Sequence, residues 1–198
     1  MKRIRRLPLS QDALDMLADR SERVAASDDP KVEAAAAWES KRSQAWDAIR
    51  ETLCAMASGS NCCMYCENGE AGSIDHFWPK SMFPERAFEW PNFLWSCSIC
   101  NGNKSNDFPT EDGRPVLLDP TAEDPADHIA FNPTTGKWKE KRRSVRGSTT
   151  IRVFDLGRFD ELRRVAWTTF GLYVHQYGVV KARGDERRAS ELLHMMRR

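Results

Sequence analysis

The N-terminal part of the chain carries apolar residues at helical spacing. Ser10 precedes a segment with Leu14 and Leu17 on one side, and serine is a favoured residue at the N-terminal cap of a helix. Asp29 and Pro30 then have the order of a cap residue followed by a first-turn proline, which predicts one second helix up to about residue 57. Its predicted buried stripe consists of Val32, Ala35, Trp38, Trp46, Ile49, Leu53 and Met56.

The C-terminal part predicts short strands followed by helices. Apolar runs after Pro109 end at prolines, as in "RPVLLDP" and "HIAFNP", which is typical of short extended segments. Alternation between Thr150 and Leu156 predicts a strand. Beyond Gly157 the spacing becomes helical again, and a last helix is predicted from Asp185 to Met196. The first of these helices has a predicted apolar face of Phe159, Leu162, Val165, Ala166 and Phe170.

Composition indicates a folded, soluble protein with one small core. The chain has 198 residues, 40% of them apolar, and no apolar run approaches the roughly 18 residues of a membrane span. The start "MKRIRRLPLS" is basic but lacks the apolar segment of a secretion signal, so we expect a cytoplasmic protein without membrane contact. A formal net charge of +1 means that any contact with nucleic acid must come from local patches.

Four of the six cysteines form two C-x2-C pairs, "CMYC" at 63–66 and "CSIC" at 97–100. Three disulfides in a secreted protein are the alternative, but paired knuckles in a cytosolic chain indicate zinc first. The predicted ligands are Cys63, Cys66, Cys97 and Cys100. Four thiolates leave no position for water, so this zinc is predicted to be structural. Cys62 could compete with Cys63 for ligation, although only Cys63 has the two-residue spacing to Cys66.

The segment between the two cysteine pairs is longer than an ordinary zinc module needs. It covers residues 67 to 96, which is 30 residues, and it contains "SIDHFWPKS" with Asp75 next to His76. Asn92 lies near its end, and "NGNK" follows the last cysteine with Asn101 and Lys104 three positions apart on a predicted helix. These residue types predict chemistry inside the zinc-bound segment.

This motif pattern resembles that of the HNH, or ββα-metal, nucleases. The resemblance implies that His76 is the general base, that Asn92 steadies it, and that Asp75 and Asn101 bind a catalytic metal. Phosphodiester cleavage needs an activated water and a cation on the phosphate oxygens, and hard oxygen ligands favour Mg²⁺ or Mn²⁺. Lys104, with Lys80 as a second candidate, is predicted to contact the substrate phosphate.

A closer resemblance is to the HNH proteins of Septu anti-phage systems and of some retrons. It is strong from Cys63 to Pro109 and weaker from Val116 to Arg164, while residues 1–57 and 165–198 show none of it. It implies a DNA-cleaving effector of phage defence that works beside an ATPase of the ABC/SMC type.

We therefore expect an α+β protein in which a small zinc-bound ββα-metal core has N- and C-terminal helices packed around it. The expected division is a helical region at 1–58, the HNH core with its four-cysteine zinc site at 59–110, and a region of short strands and then helices at 111–198. The alternative function is a non-catalytic zinc module that binds nucleic acid or a partner protein, with Asp75 and His76 in structural roles.

Overall fold

The N-terminal region forms three helices. The computed structural model describes residues 1–40, 43–59, 61–68 and 70–196. Helix α1 (Gln11–Ala26) begins after Ser10, whose hydroxyl accepts a hydrogen bond from the Ala13 amide. Helix α2 (Pro30–Glu39) begins after Asp29, whose carboxylate caps it in the same way. Helix α3 (Gln44–Met56) follows after a break in the helical structure.

The prediction of one continuous second helix is wrong. Trp38 and Trp46 are eight residues apart, which is about 12 Å along a straight helix, yet their ring centroids lie 5.3 Å apart. Helices α2 and α3 are therefore separate, and both rings are buried in one core. Val32 and Ala35 of the predicted buried stripe are exposed, while Ala34 and Ala37 are buried.

A hairpin followed by a short helix forms the centre of the structure. Strand β1 (Ser73–His76) pairs antiparallel with β2 (Phe93–Ser96), so that His76 lies opposite Phe93. Helix α4 (Ser98–Lys104) starts directly after β2, and the loop between the strands contains two short 3₁₀ turns. This order of elements places the end of β1 next to α4.

The C-terminal region begins with two small hairpins, β3 (Thr110–Glu111) with β4 (Arg114–Pro115) and β5 (Ile129–Asn132) with β6 (Lys137–Glu140). Helix α5 (Val145–Val153) follows them. The last two helices are α6 (Asp160–Ala182) and α7 (Glu186–Met196), the second of which confirms the predicted terminal helix.

The predicted strand at Thr150–Leu156 is wrong, because this segment lies largely in α5. The Ser144 hydroxyl accepts a hydrogen bond from Gly147 and caps the helix. Gly147, Thr150 and Val153 are the buried residues, and their spacing of three is helical rather than alternating. Gly147 lies so close to the carbonyl oxygen of His128 that a Cβ atom would be 2.3 Å from it.

One hydrophobic core joins all three predicted regions. Trp46 of α3 packs on Phe93 of β2, with 6.0 Å between ring centroids, and Tyr65 stacks on Phe154 at 3.9 Å. Thus α3 packs on the hairpin, as expected, and the segment just after α5 packs on the first cysteine turn. The boundaries at residues 58 and 110 stay predictions.

Helix α6 is mostly exposed, in contrast to the elements of the core. Its predicted apolar face is largely exposed, including Leu162, Val165 and Phe170, and only Val180 near its end is buried. Val180 packs with Ala189 and Leu192 of α7 in a small second cluster. None of the helices in the described ranges is both long and apolar enough to cross a membrane.

Candidate metal centre and polar cavity

The four predicted zinc ligands come together. The Sγ atoms of Cys63, Cys66, Cys97 and Cys100 all lie within 4.8 Å of one another. The first pair lies on the turn before β1, and the second pair spans the junction between β2 and α4. A cluster of four thiols on two C-x2-C turns can hold a zinc ion, which confirms this part of the prediction.

The thiols also show why a cation fits. The hydrogen bond from Cys100 lowers the pKa of the Cys63 thiol to about 2, while hydrogen bonds to Cys63 raise the pKa of Cys100. Without a metal, the cluster therefore favours a thiolate at Cys63 and disfavours one at Cys100. A divalent cation at the centre removes this conflict, because each thiolate then faces positive charge.

A second, polar cavity of about 220 Å³ lies beside the hairpin. Its lining includes five residues predicted from the sequence: Asp75, His76, Lys80, Asn101 and Lys104. They come from β1, from the loop after it and from α4. The structure thus brings together in one cavity residues that lie up to 29 positions apart in the chain.

His76 is held in one orientation. Its Nε2 lies 2.8 Å from the carbonyl oxygen of Ala87, and since a carbonyl can only accept, the neutral ring carries its proton on Nε2. The ring also packs against Trp38 of α2, with 4.2 Å between centroids. In this tautomer Nδ1 carries the lone pair that a general base needs.

Asn92 does not line the cavity but fixes the loop that holds His76. Its side-chain oxygen accepts a hydrogen bond from the Trp78 amide at 2.7 Å, and its nitrogen donates to the carbonyls of Trp78 (3.1 Å) and Arg86 (2.8 Å). Arg86 directly precedes Ala87, the acceptor of the His76 hydrogen bond. Asn92 is therefore placed to steady His76 through the backbone.

Asp75 is part of a buried network. Tyr65 donates to one carboxylate oxygen at 2.5 Å, and the Lys104 ammonium lies 3.2 Å from the other. Burial raises the pKa of Asp75 and lowers the pKa of Lys104, and their mutual attraction opposes both shifts. The carboxylate keeps unused lone pairs beside these two bonds.

Lys104 is buried, although it was predicted to contact the substrate phosphate. Only 1% of its side chain is exposed, and its ammonium also donates to the backbone oxygen of His76 at 2.6 Å. It thereby ties the end of α4 to the end of β1. A phosphate contact by Lys104 stays a prediction, whereas Lys80 is half-buried at the edge of the same cavity.

Asn101 occupies the side of the cavity formed by α4. Its side-chain nitrogen lies 3.3 Å from the hydroxyl of Ser73 on β1, so the amide bridges helix and strand. With the nitrogen engaged there, the oxygen is the atom of the amide that can act as a metal ligand.

No family model matches the chain, but two curated relatives do. The chain is similar to Septu proteins. It is 32% identical over 117 residues to Septu protein PtuB of Bacillus thuringiensis, covering 56% of this chain and 42% of the relative. It is 31% identical over 143 residues to Septu protein PtuB of Bacillus mycoides strain KBAB4, covering 57% and 48% respectively.

These matches confirm the resemblance to Septu proteins that the motifs indicate. The chain spans a little under half the length of these two curated relatives. The similarity therefore concerns part of each relative, and what the whole protein does is treated below as a proposal.

The roles of two residues of the site were not predicted from the sequence. Trp38 was assigned only to core packing, yet it lines the cavity and contacts His76. Tyr65, inside the first cysteine turn, received no role, yet it is buried and donates to Asp75. No motif or spacing predicts either contact, because the two contacting residues lie ten or more positions apart in each case.

We predict that Lys104→Met lowers the free energy of unfolding of the zinc-loaded protein by about 3–5 kcal/mol, which urea titration at neutral pH measures. The substitution leaves Asp75 buried without its cation and removes the donor to the His76 carbonyl. Lys80→Met is the matched control and should change the value by less than about 1 kcal/mol. A Lys104→Met protein as stable as the control would show that the buried pair contributes little.

Proposed function

We propose that the protein is a metal-dependent HNH endonuclease that hydrolyses phosphodiester bonds of DNA. The observation that carries this proposal is the convergence of Asp75, His76 and Asn101 on one polar cavity. In this proposal β1, β2 and α4 form the ββα-metal unit, with the four-cysteine zinc holding the hairpin against the helix.

His76 acts as the general base in this mechanism. Its Nδ1 takes the proton from the attacking water, while the hydrogen bond from Nε2 to Ala87 stabilises the ring in its tautomer and its charged form. Asn92 and the backbone bond from Lys104 position the residue from two sides. His76 therefore does not have to reorganise when the proton moves.

The residues present fit a hard divalent cation. Asp75 offers a carboxylate oxygen and Asn101 an amide oxygen in the same cavity, and Mg²⁺ is usually bound by one or two such ligands together with waters. When bound, this ion would supply positive charge to the phosphate oxygens and to the leaving oxygen. Lys80 would add a point charge for a neighbouring phosphate.

The similarity to Septu proteins supports a place in phage defence. We propose that the chain is the effector nuclease of such a system and works with an ATPase partner of the ABC/SMC type. Because unrestrained cleavage would damage the host, the nuclease alone is expected to be weak or silent. Activity should therefore be measured with the partner present.

The direct test is incubation of plasmid DNA with the purified protein in Mg²⁺, alone and with the ATPase encoded alongside it. The proposal expects nicked or linear DNA in the presence of the partner and none after chelation. RNA is incubated in the same way. If neither nucleic acid is cleaved under any of these conditions while zinc is present, the non-catalytic zinc module becomes the better description.

The role of Asn101 has a specific expected result. Asn101→Ala removes a proposed metal ligand without touching a thiol, so cleavage in Mg²⁺ should fall at least about tenfold while zinc content is unchanged. Asn101→His should retain partial activity and shift the metal preference towards Mn²⁺, Co²⁺ or Ni²⁺, because imidazole is a softer ligand.

The measurement is the cleavage rate of wild type, Asn101→Ala and Asn101→His in a series of these metals. Asn106→Ala, at another position of the same cavity lining, is the matched control. Wild-type cleavage by Asn101→Ala in Mg²⁺ would exclude Asn101 as a ligand.

A further inference from the structure

The four-cysteine centre carries a charge that zinc alone does not neutralise. Four thiolates around a divalent cation leave two negative charges, and three of these four cysteines are buried. Buried charge is costly unless it is hydrogen-bonded or paired. The surroundings of the sulfur atoms should therefore contain a donor or a cation.

Arg158 supplies one from outside the zinc-binding segment. Its Nη2 lies 3.0 Å from the Sγ of Cys100 and 3.9 Å from that of Cys97. These are the two cysteines at the start of α4, and Arg158 lies 58 residues beyond the second of them. The contact is therefore a tertiary one, and the spacing of the C-x2-C pairs does not predict it.

Contacts of Nη1 and of the ring face also hold the guanidinium. Its Nη1 donates to the backbone oxygens of Phe154 and Asp155 just after α5, and the ring of Phe159 lies 4.5 Å from its central carbon. Asp155 has a positive φ of 45°, which turns the chain sharply after α5 and brings the arginine back over it. Such bonds and stacking fix the direction of the N–H group that faces sulfur.

We infer that Arg158 is a positioning residue of the metal centre. It donates hydrogen bonds to the thiolates of Cys100 and Cys97, which slows loss of the metal, and it fastens the segment after α5 to the start of α4. This inference rests on the proposed zinc. It assigns a role to a residue outside the ligands and outside the cavity.

The experiment measures zinc release from the purified, loaded protein to an excess of a chromogenic chelator. Loss of an outer partner of a metal ligand typically costs about 10- to 100-fold in metal affinity, so Arg158→Met should release zinc at least about tenfold faster than wild type. Arg152→Met is the matched control, since the Arg152 side chain is exposed near the end of α5 and its guanidinium pairs with Asp107. It should release zinc at the wild-type rate.

Arg158→Lys and a cobalt-loaded form keep the inference testable if Arg158→Met does not fold. Lysine preserves the charge but not the planar fork, so its release rate should lie between those of wild type and the methionine variant. In the Co²⁺ protein, the thiolate-to-metal charge-transfer band should move to longer wavelength when the N–H donors to sulfur are lost.

Release rates and cobalt spectra that match wild type in the variants of Arg158 would overturn the inference. An absence of zinc from the wild-type protein would instead overturn the zinc proposal itself. The two failures are therefore distinguishable, and neither measurement depends on DNA cleavage.

Discussion

Replacing His76 by glutamine is expected to reduce DNA cleavage by about 10²- to 10⁴-fold, the usual contribution of a general base, and to leave zinc content unchanged. A glutamine amide nitrogen can still donate to the carbonyl oxygen of Ala87, which now accepts from Nε2, but it cannot take a proton from water. Cleavage of plasmid in the presence of Mg²⁺ and the ATPase partner measures the loss.

His76→Ala separates the chemistry from the packing. It should lose the same activity, and it should also lose about 1–3 kcal/mol of stability, because the Ala87 carbonyl loses this donor and Trp38 loses one of its ring contacts. His175→Gln on the exposed part of α6 is the matched control for both assays. If His76→Gln cuts DNA at the wild-type rate, His76 is not the base.

The second large effect is expected from Cys97→Ser, which should lose zinc and unfold the central region. Structural zinc contributes roughly 10–16 kcal/mol of apparent binding free energy in small domains, more than the whole stability of many domains. Serine is itself a good helix cap, so the loss would come from the metal and not from the cap that Cys97 now provides for α4. Metal analysis and the thermal transition measure the two effects.

Cys54→Ser is the control for this prediction. Cys54 lies outside the four-thiol cluster, and its thiol donates only to Asn61 among the hydrogen bonds described, at 3.4 Å. The variant should keep zinc and unfold near the wild-type temperature. A Cys97→Ser protein that melts like this control would mean that the cluster does not stabilise the fold. Disulfides in the wild-type protein under reducing conditions would contradict the prediction of zinc itself.

The zinc cluster was predictable because its geometry is local. A C-x2-C turn brings two thiols to one side within four residues, so the spacing alone predicts that each pair converges. The same holds for the caps of α1 and α2, which depend on Ser10 and Asp29 bonding amides three residues later. In each cap and within each cysteine pair the interacting groups lie within one turn of the chain, whereas the meeting of the two pairs depends on the fold.

Periodicity was a weaker guide where packing decides the direction of the chain. The apolar stripe continued through residues 30 to 56, yet α2 and α3 are two separate helices, and Trp38 and Trp46 pack on each other and on Phe93. Likewise, the alternating residues from 150 to 156 form a helix and a turn, since Ser144 caps that helix and Gly147 fits against the backbone just before β5.

That Asp75, His76 and Asn101 line one cavity agrees with what the resemblance to HNH nucleases implies, whereas the presence of Trp38 in the same lining was not predicted. How these residues are held depends on the packing of the whole chain. The donor from Tyr65 to Asp75, the burial of Lys104 and the contact of Arg158 with Cys100 join segments from 10 to 58 residues apart. Such contacts form only when the elements pack against one another, and the spacing of residues along the chain carries no information about them.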